Sequence, residues 1–276
     1  MSDKIPLAGV IGSPIAHSKS PKLHNFWLRR HGLRGHYVPL DIGQADLKDA
    51  LAMMPKMGFV GANVTIPHKE TVLGLADIVT DRAALIGAAN TLIFRADGKL
   101  HADNTDGYGF VENLRANSDW NPKSGPAAVL GAGGAARAVI ASLIEVGVTE
   151  IRLSNRTRAR ADALRAEFGS KVHVSEWVQA GQMLDGAMTV INTTALGMVG
   201  KPDLKVPLDA LSPRAVVTDL VYTPLRTTFL EKAAQNGCQT VDGLGMLLHQ
   251  AAPAFERWFG TRPEVDDETR KFVLAQ

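Results

Sequence analysis

Short apolar runs alternate with helical patterns along the first hundred residues. Residues 7–11, 37–42 and 59–66 are bounded by Gly, Pro and polar positions and read as strands. Between the first two lies a helix over residues 21–30, with Ser20 as its N-cap, Pro21 at the first helical position and Gly32 as its stop signal. A second helix is expected to begin near His68. Residues 90–94 and 99–101 flank Ala96-Asp97-Gly98, whose Asp-Gly pair supplies the positive backbone angles of a tight hairpin turn. From Thr105 to about Ala116 the pattern is helical, and residues 117–126, with two prolines and one glycine, read as a loop.

A different rhythm follows. Residues 127–130 form a strand, 135–146 a helix, 150–155 a strand and 159–168 a helix, and further strands are expected over 172–174, 188–192 and 215–221. Strands alternating with helices in this way predict a parallel sheet covered on both faces. A last helical pattern spans residues 244–259. The chain is therefore expected to be an α/β protein of two lobes. Residues 1–105 plus 241–276 make an α/β substrate-binding lobe, and 106–240 a Rossmann-type nucleotide lobe with a doubly wound parallel sheet.

Composition narrows the class. With 276 residues, 45% hydrophobic and 21% charged, the chain can bury a proper core. Its formal charge of +2 comes without a basic cluster, so nucleic acid and anionic membrane are not indicated, and a small molecule is the expected partner. The start lacks the pattern of a secretory signal and no apolar run is long enough to span a bilayer, which predicts a cytoplasmic location. A homodimer is compatible with the sequence. Cys238 is the single cysteine and the eight histidines show no ligand spacing, so no metal is expected.

The candidate cofactor site is Gly131-Ala132-Gly133-Gly134-Ala135, which follows a strand and opens a helix. Glycine permits the turn and lets backbone approach a pyrophosphate, and the helix N-terminus offers amide hydrogens to the anion. The second strand of this lobe ends Ser154-Asn155-Arg156-Thr157, without the acidic residue that would take a ribose 2′-hydroxyl. Arg156, helped by Arg160 and Arg158, suits a 2′-phosphate instead, which predicts NADP rather than NAD.

Other motifs occur in order: His17-Ser18-Lys19-Ser20-Pro21, residues 61–69, Ala89-Asn90-Thr91, Asn104-Thr105-Asp106-Gly107, Asn155-Arg156-Thr157, Asn192-Thr193-Thr194, and Asp242-Gly243-Leu244-Gly245-Met246 on to Gln250. Taken with the glycine turn, this set resembles the shikimate dehydrogenase family over nearly the whole chain. The resemblance implies NADPH-dependent reduction of 3-dehydroshikimate to shikimate, in a cleft between lobes that close about connections near Asp106 and Gly243. It implies that Ser18 and Ser20 hold the substrate carboxylate, that Asn63, Thr65, Asn90, Asp106 and Gln250 reach the other oxygens, and that Tyr222 adds a hydroxyl contact. Lys69 and Asp106 become the catalytic pair, with Lys69 meeting the alkoxide that hydride transfer leaves. Asp81, Thr194, Leu220 and Gly243 join Asn155, Arg156, Thr157, Arg160 and the glycine turn on the cofactor side.

Several of these residues also have structural explanations. Ser20 is accounted for as an N-cap, whereas Ser18 is not; Asp106 reads equally as a first-turn helix acid, and Asp81 as a helix or turn residue. Lys69, in the first turn of the helix expected near His68, would oppose the helix dipole. Ala195 and Thr228 depart from the family's commoner serine and proline. The Ser-x-Ser spacing favours shikimate over quinate. The rivals are a quinate/shikimate or aminoshikimate dehydrogenase, and a non-catalytic NADP-sensing protein, against which the retention of both Lys69 and Asp106 argues.

Overall fold

A computed structural model describes residues 5–275 of the chain. It divides into two compact units: one holds the residues up to Thr105 together with those from Leu248 onward, the other is Asp106–Leu247.

The first unit opens with β1 (Leu7–Gly12), α1 (Ser20–Arg30), β2 (His36–Asp41), α2 (Leu47–Met53) and β3 (Phe59–Val64). It continues with β4 (Ile78–Val79), α3 (Asp81–Ile86), β5 (Thr91–Phe94) and β6 (Leu100–Asp103). The sheet order is β2-β1-β3-β5-β6-β4. β1 is parallel to both β2 and β3, β5 is antiparallel to β3 and β6, and β4 is parallel to β6. Alternation along β1 splits its side chains between two layers. Ile11 packs with Leu47, Leu51, Val64 and Leu92, while Ala8 and Val10 pack with Tyr37 and Trp258.

The second unit contains α4 (Asp106–Asn117), β7 (Ala127–Leu130), α5 (Gly134–Glu145), β8 (Ile151–Ser154), α6 (Arg158–Phe168) and β9 (Val172–Ser175). Then come β10 (Thr189–Asn192), β11 (Val216–Asp219), α7 (Thr228–Gln235) and β12 (Gln239–Val241). All six strands are parallel, in the order β12-β11-β10-β7-β8-β9. Read from β9, this is the 3-2-1-4-5-6 order of the doubly wound dinucleotide fold. The apolar run of β7 is buried on both sides. Ala127 and Val129 face a core shared with α4, α5 and α6, and Ala128 and Leu130 a second core shared with α7. Two helices end the chain, α8 (Leu244–Phe259) and α9 (Asp267–Leu274), and the boundary between units falls inside α8.

Three local expectations are corrected. Ser20 is not the cap of α1 but its first helical residue. Lys19 occupies the cap position without a side-chain hydrogen bond, and the Ser18 hydroxyl accepts from the Ser20 amide at 3.3 Å. The serine with a structural task at this helix start is therefore Ser18. No α-helix begins at His68: the chain runs through turns to a short 3-10 segment, Thr71–Leu75. Lys69 thus lies in a loop, and the dipole misfit expected for it does not arise. The third strand stops at Val64, two residues short of the expected end, where Thr65 and His68 close a turn.

Candidate functional site

In the first unit, polar side chains converge around the end of β3 and the start of β5. The Tyr37 hydroxyl donates to Asn63 Oδ1 at 2.7 Å, and Asn63 Nδ2 donates to the Asn90 carbonyl at 3.0 Å and to Thr91 Oγ1 at 3.3 Å. Asn90 Nδ2 donates to Thr105 Oγ1 and to Gln250 Oε1, both at 3.0 Å. Asn90 Oδ1 accepts from the Thr105 amide and from Thr91 Oγ1, both at 2.9 Å. Asn63, Asn90 and Gln250 are all buried. Their orientations are fixed by protein partners before any ligand arrives, which is how a site recognises a pattern of hydroxyls rather than a charge.

The wall beneath them is electrically neutral. Burial drives the His24 imidazole down to about 3, against the opposing effect of Asn63, and burial pushes the Tyr37 phenol well above its usual range, against the effect of Ser20. The two rings stack at 4.0 Å between centroids. An anionic ligand group beside Ser18 and Ser20 would therefore meet hydroxyls, with His24 unable to act as a cation near neutral pH.

Lys69 is half-buried on a loop pinned at several points. The Thr65 amide donates to the Ile11 carbonyl at 2.9 Å, the His68 amide to the Thr65 carbonyl at 2.9 Å, and the Ala89 amide to the Lys69 carbonyl at 2.8 Å. The buried His68 ring places Nε2 2.6 Å from the Ile42 carbonyl. Backbone contacts and the His68 ring thus set the course of the loop. Asp81 is exposed in the first turn of α3, which Thr80 caps, and fits its structural explanation.

In the second unit, Gly131 closes β7 at φ +110°, and a Cβ there would lie 2.7 Å from Thr193 Oγ1 and from Thr194 Cγ2. Gly133 caps α5 with no side chain, and a Cβ on Gly133 or Gly134 would meet nothing within 4 Å. With Ala135 also exposed and no acid in the first turn, the helix start presents open backbone of positive partial charge. Those residues fit a dinucleotide pyrophosphate. Asn155 ties this turn to the next strand end: its Oδ1 accepts from the Ala132 amide at 3.1 Å and its Nδ2 donates to the Thr157 carbonyl at 2.8 Å. Arg158 is committed to Glu176 and Asp162, whereas Arg156 and Arg160 are exposed and make no ion pair among the described residues. Asp106 is the first residue of α4.

Family models match in three stretches: the shikimate dehydrogenase substrate binding domain over residues 10–92, shikimate / quinate 5-dehydrogenase over 116–199, and the shikimate 5'-dehydrogenase C-terminal domain over 243–267. The chain is 76% identical to the shikimate dehydrogenase (NADP(+)) of Cereibacter sphaeroides, covering 99% of this chain and 98% of that one. The chain belongs to the shikimate dehydrogenase family. The shikimate dehydrogenase (NADP(+)) of Paracoccus denitrificans is 69% identical, over 98% of this chain and 96% of that one. The Thermus thermophilus shikimate 5-dehydrogenase crystallised with NADP(H) and shikimate superposes with a TM-score of 0.87 at 37% identity, covering 98% of each chain.

For a shikimate dehydrogenase, the end of the nucleotide sheet holds further relevant residues. Thr194 donates its hydroxyl to Asn192 Oδ1 at 2.8 Å, and the Leu220 amide donates to the Asn192 carbonyl at 3.0 Å. Tyr222 is half-buried, and burial pushes its hydroxyl up. Gly243 lies against the same strand end: a Cβ would fall 2.3 Å from the Leu220 carbonyl oxygen and 2.8 Å from that of Asp219. Both obstacles are backbone. Gly243→Ala is expected to destabilise the fold by about 1–3 kcal/mol, read as a lowered urea midpoint with unchanged slope. An unchanged midpoint would show that the Asp219–Leu220 backbone moves aside freely. Sequence reasoning did not single out Tyr37 or Asp219, and it listed Asn192 in a motif without giving it a role. Each is buried and polar in or at the end of a strand, but nothing in local spacing marks its partners.

Proposed function

We propose that this shikimate dehydrogenase catalyses the reversible, NADPH-dependent reduction of 3-dehydroshikimate to shikimate. The observation that carries the reading is the neutral, prepositioned set of amides and hydroxyls in the first unit, retained together with Lys69 in a chain that matches the named relatives end to end. Such a set suits a substrate bearing one carboxylate and several ring oxygens.

On this reading Ser18 and Ser20 hold the carboxylate, while Asn63, Thr65, Asn90, Asp106, Gln250 and Tyr222 hold the ring oxygens. Bound NADPH supplies the hydride. Lys69 meets the negative charge that develops on the C3 oxygen, either giving it a proton or stabilising it as a fixed positive charge, and Asp106 orients the amine and the neighbouring substrate hydroxyl. Gly131, Ala132, Gly133, Gly134 and Ala135 hold the pyrophosphate, and Asn155, Arg156, Thr157 and Arg160 the phosphorylated ribose. Thr194, Leu220 and Gly243 border the nicotinamide, with Asp81 nearby on the cofactor side. Among the described residues no helix is long and apolar enough to cross a membrane. The reading places the protein in the cytoplasm and allows a homodimer, which light scattering at assay concentration decides.

The test is absorbance at the nicotinamide band when the purified protein meets NADP and shikimate, with NAD and quinate in parallel. Rapid reduction with the first pair supports the assignment; turnover mainly with quinate or NAD moves it to the close relative, and NADP binding without turnover leaves a sensor. Arg156→Ala should raise the KM for NADP about tenfold or more, the equivalent of one charge-assisted contact, while leaving that for NAD nearly unchanged. Equal effects on both nucleotides would remove Arg156 from 2′-phosphate recognition.

A further inference from the structure

Asp219 ends β11 with no exposed surface and, among the described residues, no ion-pair partner. Burial pushes its carboxyl up to about 6 against three hydrogen bonds, so a proton leaves it only slightly below neutral pH. An isolated buried carboxylate is costly, and the fold retains one at the carboxyl ends of the parallel strands, where such sheets bind ligands.

Its three contacts are neutral and reach different segments. Oδ1 accepts from Asn192 Nδ2 at 2.9 Å and from the Val221 amide at 3.0 Å, and Oδ2 accepts from Thr227 Oγ1 at 2.7 Å. Asn192 passes the constraint on. Its Oδ1 accepts from the Thr194 amide at 3.0 Å and from the Thr194 hydroxyl at 2.8 Å, and its Nδ2 also donates to the Leu196 carbonyl at 3.1 Å. The Val221 contact fixes the peptide that follows Leu220, and Thr227 caps α7 by accepting from the Leu230 amide at 3.3 Å. Charged groups on neighbouring elements, Glu231 and Lys232 on α7, Arg226 before it and Asp242 after β12, form no ion pair with Asp219.

We propose that Asp219 is a positioning residue of the nucleotide site, one carboxylate that fixes, through Asn192 and the Val221 amide, the two strand-end turns bearing Thr194 and Leu220. A single acceptor shared by both turns holds their spacing, which separate local contacts would not. The inference rests on the reading that this unit binds NADP, and it concerns residues that need not touch the nucleotide themselves.

The experiment compares the parent protein with Asp219→Ala and Asp219→Asn by NADP titration and steady-state kinetics. Asp219→Ala should weaken NADP binding about tenfold, as expected for loss of hydrogen bonds to a charged acceptor, while the KM for shikimate stays within about twofold. Asp219→Asn keeps an oxygen for Asn192 and Val221 and should restore binding to within about threefold of the parent. Hydrogen exchange should rise in Asp219→Ala at the amides of Thr194, Leu196 and Val221. If Asp219→Ala does not fold, Thr227→Val removes one of the three contacts and should weaken NADP about threefold; unchanged binding in that variant overturns the inference. So does a folded Asp219→Ala with parental affinity, an equal loss for NADP and shikimate, or an Asp219→Asn as impaired as the alanine variant. A parent protein that does not bind NADP overturns the reading of this unit and this inference with it.

Discussion

Lys69→Ala is expected to lower kcat by about 10²–10⁴, with the KM for NADP and the thermal midpoint little changed. The separation of effects follows from how the loop is held. Its backbone is fixed by the Ile11, Thr65 and Ala89 contacts and its interior by the His68 ring, none of which uses the Lys69 side chain. Truncation therefore removes the amine while these contacts of the loop remain. What is lost is stabilisation at the oxygen that gains charge on hydride transfer, an interaction stronger in the transition state than in the ground state. Lys69→Arg separates charge from proton supply. An arginine retains the positive charge but does not give up a proton near neutral pH. A loss as deep as that of alanine assigns proton transfer to Lys69, and recovery of most activity assigns it charge stabilisation. A Lys69→Ala protein turning over at near-parental rate would remove Lys69 from the chemistry altogether.

How much of this was legible from residues alone varies by element, for physical reasons. The second unit was readable because strands buried on both faces appear as continuous apolar runs, and β7, β8, β10 and β11 lie where those runs occur. The short α2, α3, α7 and α9 and the strands β4 and β12 were not read. α2 buries only Leu47 and Leu51 over seven residues, too few turns for a helical period to stand out. The helix expected at His68 failed for a related reason: a turn-forming stretch holds that segment through contacts to Ile42 and Ala89, distant in sequence. At the candidate site, Asn63, Thr65, Lys69 and Asn90 were proposed through the order of motifs. The roles of the two serines before Pro21 were exchanged, because the Ser18–Ser20 contact depends on backbone geometry that spacing does not specify. Tyr37 and Asp219 lay beyond reach altogether. Tyr37 meets Asn63 across 26 positions and Asp219 meets Asn192 across 27, and only folding brings each pair together.

Arg82→Ala should cost about 2–3 kcal/mol of stability at neutral pH, somewhat below the ~3–5 kcal/mol seen when a fully buried ion pair loses one partner, because part of the arginine is solvated. The Asp103 side chain is 1% exposed, and Arg82 grips it from two sides, Nε to Oδ1 at 2.7 Å and Nη2 to Oδ2 at 2.6 Å. Thr80 Oγ1 and the Asn104 amide donate to Oδ1 as well, at 2.8 and 2.7 Å, and Arg257 stands 3.7 Å away. Burial pushes the Asp103 carboxyl up, but the hydrogen bonds from Arg82 and Thr80 outweigh it and hold the group below its usual value. A depressed folded pKa means that the stabilisation is present above about pH 4, the unfolded value, and is lost as pH falls through the folded one. Without Arg82 the burial effect is opposed only by the remaining donors, the folded pKa rises, and the acid side of the stability curve flattens or reverses. The deficit of Arg82→Ala should thus be largest near neutrality and shrink toward pH 3, as denaturant midpoints across that range would show. The site should respond too: the Asp103 carbonyl accepts from the Asn90 amide at 3.0 Å, so loosening the end of β6 should raise the KM for shikimate several-fold. A deficit independent of pH would mean that the arginine stabilises through packing of its stem rather than through the buried carboxylate.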